Sequence, residues 1–459
     1  MNTALRHLTH PGTRTDVVWA LLAGLALTGW IAWTGVPGVV LLAALTGAAG
    51  MVLLALRAPA TTIGLWLVTT MGLEVMWRTS MPVGGGVDLR FADPVLFAML
   101  GALVVRLLGD DRRLYDTFGR YAWCWTLLAL WLLVRMVDSI GAFGLVSALG
   151  EFRTYFHHIL ILPYVVVFAR SREVQWRVFG GAVAFALALI VVGFVRGGLT
   201  HGFLFAPYQK WLASSPSLAV VYGAFALYLM RRYQRWSYGT TMYGGLLLMI
   251  IALTIIAGHR SVWMASAAGI GALMLLGHVP VGKMVKLAGG MAGSILLLDL
   301  LYSGIDLLAF LQDRLAAFVA VQQDSTANWR LEIWSDAWRQ SQDHLWMGKG
   351  LGNYFHLVDA RGHSVSASLH NQYLQILYQV GLVGLVLYLA FALQITRRLV
   401  QGYRWAPERD TALFTGVAIV VMTAGSVFYL AYGFDHVTWV FVALGLAAAK
   451  NKDVHSPPS

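Results

Sequence analysis

The chain has 459 residues, 58% of them hydrophobic and 12% charged, with a mean hydropathy of +0.66 and a formal net charge of +11. A soluble globular domain carries about a quarter charged residues, so this composition excludes an ordinary soluble protein. The apolar runs are each about as long as a bilayer core requires of a helix, and they lack the roughly ten-residue alternation of an outer-membrane barrel.

In chain order, Arg6, His7, His10 and Arg14 precede the first apolar run. Residues 17–35 are long enough to span and lead straight into a second span, which reads as an uncleaved anchor and not a signal peptide. Fourteen spans follow from the apolar periodicity: 17–35, 38–56, 60–78, 93–109, 121–137, 154–169, 176–196, 211–230, 242–258, 261–277, 284–305, 371–394, 411–432 and 437–449. Val36-Pro37-Gly38 reads as a tight hairpin, and Asp93-Pro94 as an N-cap with proline at the first helical position. Cys124, the sole cysteine, lies inside a span and has no partner for an intrachain disulfide. The expected fold is an all-α polytopic membrane protein of about 14 (12–14) transmembrane helices. It forms one domain over 1–459, with one large periplasmic loop at 306–369. The tail, 451–459, reads as short and disordered.

Lysines and arginines collect in alternate connections: Arg57; Arg112, Arg113 and Arg120; Arg170, Arg172 and Arg177; Arg231, Arg232 and Arg235; Lys283 and Lys286; Arg397, Arg398, Arg404 and Arg409. The positive-inside rule therefore puts both termini in the cytoplasm and the 306–369 loop outside. The positive charge is this topological signal. No basic stripe or RNA-binding signature accompanies it, so nucleic acid is not an expected partner.

Within the outward loop, Trp329, Ile333, Trp334, Ala337 and Trp338 recur at helical spacing opposite Arg330, Glu332, Asp336 and Arg339. That pattern predicts an amphipathic helix lying in the membrane interface. Gly348-Lys349-Gly350-Leu351-Gly352-Asn353 follows as a glycine turn. It lacks the preceding strand and Gly-Lys-Ser/Thr ending of a phosphate loop, so a flexible link or a close backbone approach is expected.

Cations on the outward side are not required by topology. They are Arg78, Arg135, Arg153, Arg196, Lys210 and Arg260, with Arg330 in the loop helix. Guanidinium groups at the outer edge of a bundle suit phosphate or pyrophosphate, to which they present paired donors. Arg78, four residues after Glu74, reads as a structural pair, and Arg135 and Arg196 as snorkelling or acid-paired residues. Arg260, at a short outward hairpin, reads as functional. His370, after the loop and at the start of a long apolar helix, is positioned to take a hydroxyl proton, with His157 a second candidate one turn from Arg153. No His-x-x-x-His or His-Glu-x-x-His pattern accompanies His356, His363 and His370, so a metal site is not expected. Asp299, Asp306 and Asp313 do not form a glycosidase-type pair.

Three blocks together resemble the O-antigen ligase and O-antigen polymerase superfamily of bacterial envelope enzymes. They are Arg260-Ser261-Val262-Trp263; Trp329 to Trp338 running on to Gly348-Lys349-Gly350-Leu351-Gly352-Asn353; and His370-Asn371-Gln372-Tyr373-Leu374-Gln375 with Gly381-Leu382-Val383-Gly384-Leu385. The resemblance covers Arg260 to Tyr388; Asp88-Leu89-Arg90-Phe91-Ala92-Asp93 is a looser echo in the N-terminal half. It implies an inner-membrane enzyme that passes a glycan from undecaprenyl pyrophosphate to an acceptor hydroxyl on the periplasmic face, without metal, nucleotide or other cofactor. The acceptor would be lipid A core, another lipid-linked repeat unit, or a protein. Carried onto this chain, Arg260 and Arg330 would bind the pyrophosphate and His370 would serve as general base; topology adds Arg153 and Lys210 to the anion ligands. A lipid-linked oligosaccharide flippase or exporter is the rival from another class. It would need polar residues along the middles of the spans, and those middles are mostly Leu, Val, Ala and Gly.

Overall fold

The computed structural model describes residues 36–70, 80–84, 87–109, 122–201, 214–232, 259–275, 325–358, 364–366, 369–405 and 436–449, with isolated positions between 239 and 312. The expected spans 17–35 and 411–432, most of 242–258 and 284–305, and the tail lie outside the described residues.

Helix α1 (Val36–Arg57) and helix α2 (Pro59–Leu67) meet at Ala58 with a bend of 116°. Pro59 has no N–H for the carbonyl of Ala55, four residues back. Tyr164 supplies the missing donor through its hydroxyl, 2.6 Å from that oxygen. The two spans expected over 38–56 and 60–78 are thus a sharply bent pair. Strands β1 (Ser80–Gly84) and β2 (Val87–Arg90) form an antiparallel hairpin with Ser80 opposite Arg90 and an irregularity between Pro82 and Gly84. This hairpin and a second one within 356–366 depart from the all-α expectation; the rest of the described structure is helical or irregular.

Helix α3 (Ala92–Leu108) begins one residue before Asp93, with Phe91 at its N-cap. Helices α4 (Ala122–Phe143) and α5 (Leu145–Phe168) are joined by Gly144 alone, at φ 82°, and pack on each other. Pro163 inside α5 orphans the carbonyl of Ile159, and Trp125 of α4 donates its indole N–H to it at 2.8 Å. Both prolines are therefore accommodated by aromatic donors from neighbouring helices.

Helices α6 (Arg172–His201) and α7 (Ser214–Arg232) make the most extensive helix pair, with Gly223 seated against Ala186. Small residues at such a crossing bring the helix backbones close. Helix α8 (Arg260–Leu275) contacts α7. Helix α9 (Ser325–Ser341) is followed by a short 3-10 turn (Gln342–His344) and by strands β3 (His356–Val358) and β4 (Ser364–Ser366). Helix α10 (Gln372–Trp405) and helix α11 (His436–Ala449) complete the described chain.

Helix α11 is apolar on all sides and buried throughout from Val437 to Ala448, as an interior helix should be. It packs on α5, α10 and α7, with Phe441 stacked on Phe179 and Tyr222. Thr438, its polar residue near the start, is bonded to the Tyr222 hydroxyl at 2.6 Å. By contrast Trp123, Leu127, Leu130, Val134 and Val137 leave one face of α4 open, which suits contact with lipid. Three described helical stretches are long and apolar enough to cross a membrane: Trp123–Phe143, Arg172–Gly193 and Gln372–Val400.

Candidate functional site

Helix α10 is broken near its N-terminal end at Gly381, where φ is 75° and ψ is −176°. Five backbone groups freed by the break find partners elsewhere. The carbonyls of Tyr378 and Gln379 accept from Lys349 N at 2.7 Å and Gly350 N at 2.9 Å. The carbonyl of Val380 accepts from the Trp131 indole of α4 at 3.0 Å. Leu382 N and Val383 N donate to the carbonyls of Leu345 and Trp346. The loop over 345–350 is thus threaded into the helix break. The glycine turn is a close backbone approach, since a Cβ on Gly348 would lie 2.5 Å from Gly381 N. Arg135 of α4 holds the turn from the other side, donating to the Gly348 carbonyl at 3.2 Å while paired with Asp138. Leu351 N donates to the Ser139 hydroxyl at 2.8 Å. Arg135 is therefore a structural residue, acid-paired through Asp138.

Above the break, α9 lies against the start of α10. Ile333 and Ala337 are buried with Phe355, Leu369 and Tyr378, so the inner part of the apolar stripe packs on protein. Trp329 and Trp338, on the same stripe, remain more than a third exposed. Trp334 donates its indole N–H to the carbonyl of Leu369 at 2.7 Å. Trp329 packs on the His370 ring at 6.0 Å between centroids. His370 itself has φ 48°, a conformation uncommon for a residue with a side chain. It stands ahead of the helix, which is capped by Asn371: the Asn371 side-chain oxygen accepts from Leu374 N at 3.0 Å. Arg330, next to Trp329, is half-buried on the same helix. Trp329 and Trp334 thus hold the stretch of α9 that carries Arg330 against the chain at Leu369 and His370.

A second polar cluster lies toward the N-terminal ends of α3 and α5. The Asp93 carboxylate accepts from Arg90 N at 2.8 Å and from the Arg153 guanidinium at 2.9 Å, and His157 Nε2 lies 3.5 Å from its other oxygen. Asp93 was expected to cap its helix; its side chain instead ties the hairpin and α5 together. Two residues from Arg153, Glu151 accepts from the Gln379 amide at 3.1 Å, and Tyr155 donates to the same amide's oxygen at 2.8 Å. The Tyr354 hydroxyl bonds Glu151, and Arg90 acts electrostatically on both. Partial burial and the Glu151 charge raise the Tyr354 pKa, so its phenol stays a proton donor at neutral pH.

Of the other candidates, Arg260 begins α8, where the His259 carbonyl accepts from Val262 N and Trp263 N. The side chains of Arg260 and Arg196, and Lys210, Arg78, Glu74, Asp299, Asp306, Asp313 and His363, lie outside the described residues. Sequence reasoning missed Glu151, Gln379 and Tyr354 as parts of one cluster. One signal was available: Gln372, Gln375 and Gln379 recur at three- and four-residue spacing in an otherwise apolar helix, and all three are buried. Amides on one face of such a helix imply polar partners inside the bundle.

Residues 244–389 match the family model described as O-antigen ligase. Over 87 residues the chain is 33% identical to an O-antigen ligase of Pseudomonas aeruginosa, an alignment covering 19% of this chain and 20% of that protein. The chain therefore aligns with about a fifth of the length of that relative. These matches bear out the resemblance to the O-antigen ligase superfamily. The matched region contains Arg260, Arg330 and His370 together with the kink at Gly381, and leaves Arg153 and Lys210 outside it.

Proposed function

We propose that the chain is a membrane-embedded glycosyltransferase of the O-antigen ligase type, taking its glycan from undecaprenyl pyrophosphate. The acceptor hydroxyl is on the periplasmic face of a bacterial inner membrane. The expected count of about fourteen spans, cytoplasmic termini and the outward 306–369 loop belong to this reading. The observation that supports it most is the docking of α9, which carries Arg330, on the start of α10 beside His370, within the family-matched region.

In this reading the acceptor oxygen attacks the anomeric carbon as the bond from that carbon to the pyrophosphate oxygen breaks. The electron pair leaves with the pyrophosphate, and the acceptor proton passes to His370. A single displacement inverts the anomeric carbon. Arg260 and Arg330, with Lys210, stabilise the charge building on the leaving group, the larger electrostatic contribution. Proton removal by a positioned histidine contributes about a hundred- to ten-thousand-fold. Arg153 has its charge matched by Asp93 and belongs to the second cluster.

The test is transfer by purified protein in EDTA, with undecaprenyl-pyrophosphate glycan and a panel of lipid A core, lipid-linked repeat and protein acceptors. Product from wild type and not from His370→Ala supports the reading, and the productive acceptor separates ligase from polymerase or protein glycosylation. Glycan-lipid crossing liposome bilayers without any transfer contradicts it in favour of a flippase.

A further inference from the structure

The cluster toward the N-terminal ends of α3 and α5 has a chemical character of its own. It brings two guanidinium groups, Arg90 and Arg153, against two carboxylates, Asp93 and Glu151, so its formal charges cancel. A pyrophosphate subsite needs surplus positive donors. This cluster instead offers donors and acceptors side by side: guanidinium N–H groups, carboxylate oxygens, the Gln379 amide and the Tyr354 hydroxyl. A sugar ring presents the matching surface, with hydroxyls that both donate and accept around a less polar face.

Tyr354 completes the match. It is 47% exposed, so its ring is open to solvent while its hydroxyl is engaged by Glu151. Its neighbours fix it there. Phe355 is buried edge-on to Tyr378, and Gly352, at φ 90°, sits so close to Ser147 that a Cβ would lie 2.8 Å from the backbone. A held aromatic ring costs little ordering entropy when a ligand packs on it. Asp93 is buried and Arg90, Glu151 and Arg153 are half-buried beside it, so the cluster keeps open edges where a ligand can bond.

Building on the transferase reading above, we propose that Arg90, Asp93, Glu151, Arg153, Tyr354 and Gln379 form a subsite for an uncharged sugar ring. Its charge balance sets it off from a pyrophosphate site, and the ring belongs to the donor glycan or to the acceptor.

Equilibrium binding by the full chain in nanodiscs tests this for wild type, Tyr354→Ala and Glu151→Gln. Tyr354 is exposed, so its truncation spares the fold, and Glu151→Gln is isosteric. The probes are undecaprenyl pyrophosphate, the same lipid carrying one N-acetylglucosamine, and lipid-free lipopolysaccharide core oligosaccharide. The variants are expected to lose about tenfold on a sugar-bearing probe, equivalent to ~1.4 kcal/mol, and nothing on the bare lipid pyrophosphate. A loss on the N-acetylglucosamine lipid assigns the subsite to the donor; a loss on the oligosaccharide assigns it to the acceptor. Wild-type affinity of both variants for both sugar probes overturns the subsite, as does an equal loss on the bare lipid. Wild type that binds neither lipid but binds the oligosaccharide, with the variants impaired, sinks the donor reading and leaves the sugar subsite standing.

Discussion

Gly348 and Gly381 are packed backbone against backbone, so close that a Cβ built on either would lie 2.5 Å from the other's amide nitrogen. Both have positive φ, 72° and 75°. Their contact is where the 345–350 segment enters the break in α10, and it fixes that segment to the helix that starts just after His370.

Gly381→Ala is therefore expected to be one of the most damaging single substitutions in the chain. A side chain there is strained by its φ and also collides with the Trp346 carbonyl. The strain alone costs about 1–3 kcal/mol, before any displacement of the loop. Thermal unfolding of the purified variant checks this: a marked fall in Tm is expected, and an unchanged Tm contradicts the backbone contact.

Trp334→Phe removes one indole N–H and keeps most of the ring. The lost bond to the Leu369 carbonyl should cost about 1 kcal/mol of stability. Because that bond fixes α9 beside His370, turnover is expected to fall about tenfold or more, as small misplacements of reacting groups do. Comparing transfer rate with Tm separates the two effects; a stability loss with full turnover contradicts the positioning role.

Asp93 holds Arg153 and His157 together while its side chain is only 6% exposed. Removing one partner of a buried pair leaves the other charge uncompensated and typically costs ~3–5 kcal/mol. Asp93→Ala should destabilise more than the double variant Asp93→Ala/Arg153→Leu, which removes both charges. Equal loss in both proteins contradicts the pair as drawn.

Arg260→Ala is expected to cripple transfer with little loss of folded protein, because Arg260 stands at the first position of its helix, outside the hydrogen-bonded interior. Turnover at the wild-type rate removes the pyrophosphate role from Arg260.

Much of the helical order was legible in the sequence because apolar run length is a direct consequence of bilayer thickness. The runs at 93–109, 121–137, 261–277 and 437–449 correspond to α3, α4, α8 and α11 with ends shifted by a few residues. The 116° bend at Ala58 was not legible, because Arg57 followed by Ala58-Pro59 reads as a loop between two spans. The docking of α9 beside His370 was suggested by the order of the motifs, although Trp334 and Trp329, which make it, read only as an interfacial stripe. Glu151 lies 203 residues from Tyr354 and 228 from Gln379 along the chain. No local pattern announces a contact of that kind, since it is fixed by helix packing alone.

The central claim is that Arg330 and His370 work at one reacting centre, and a double-substitution cycle on the transfer rate tests it most directly. Groups that act as a unit are grossly non-additive. Arg330→Ala and His370→Ala should each cut single-turnover transfer by about a hundredfold or more, and the double variant should be little slower than the worse of the two. A wild-type rate in either single variant, or losses that multiply in full, would contradict the shared centre.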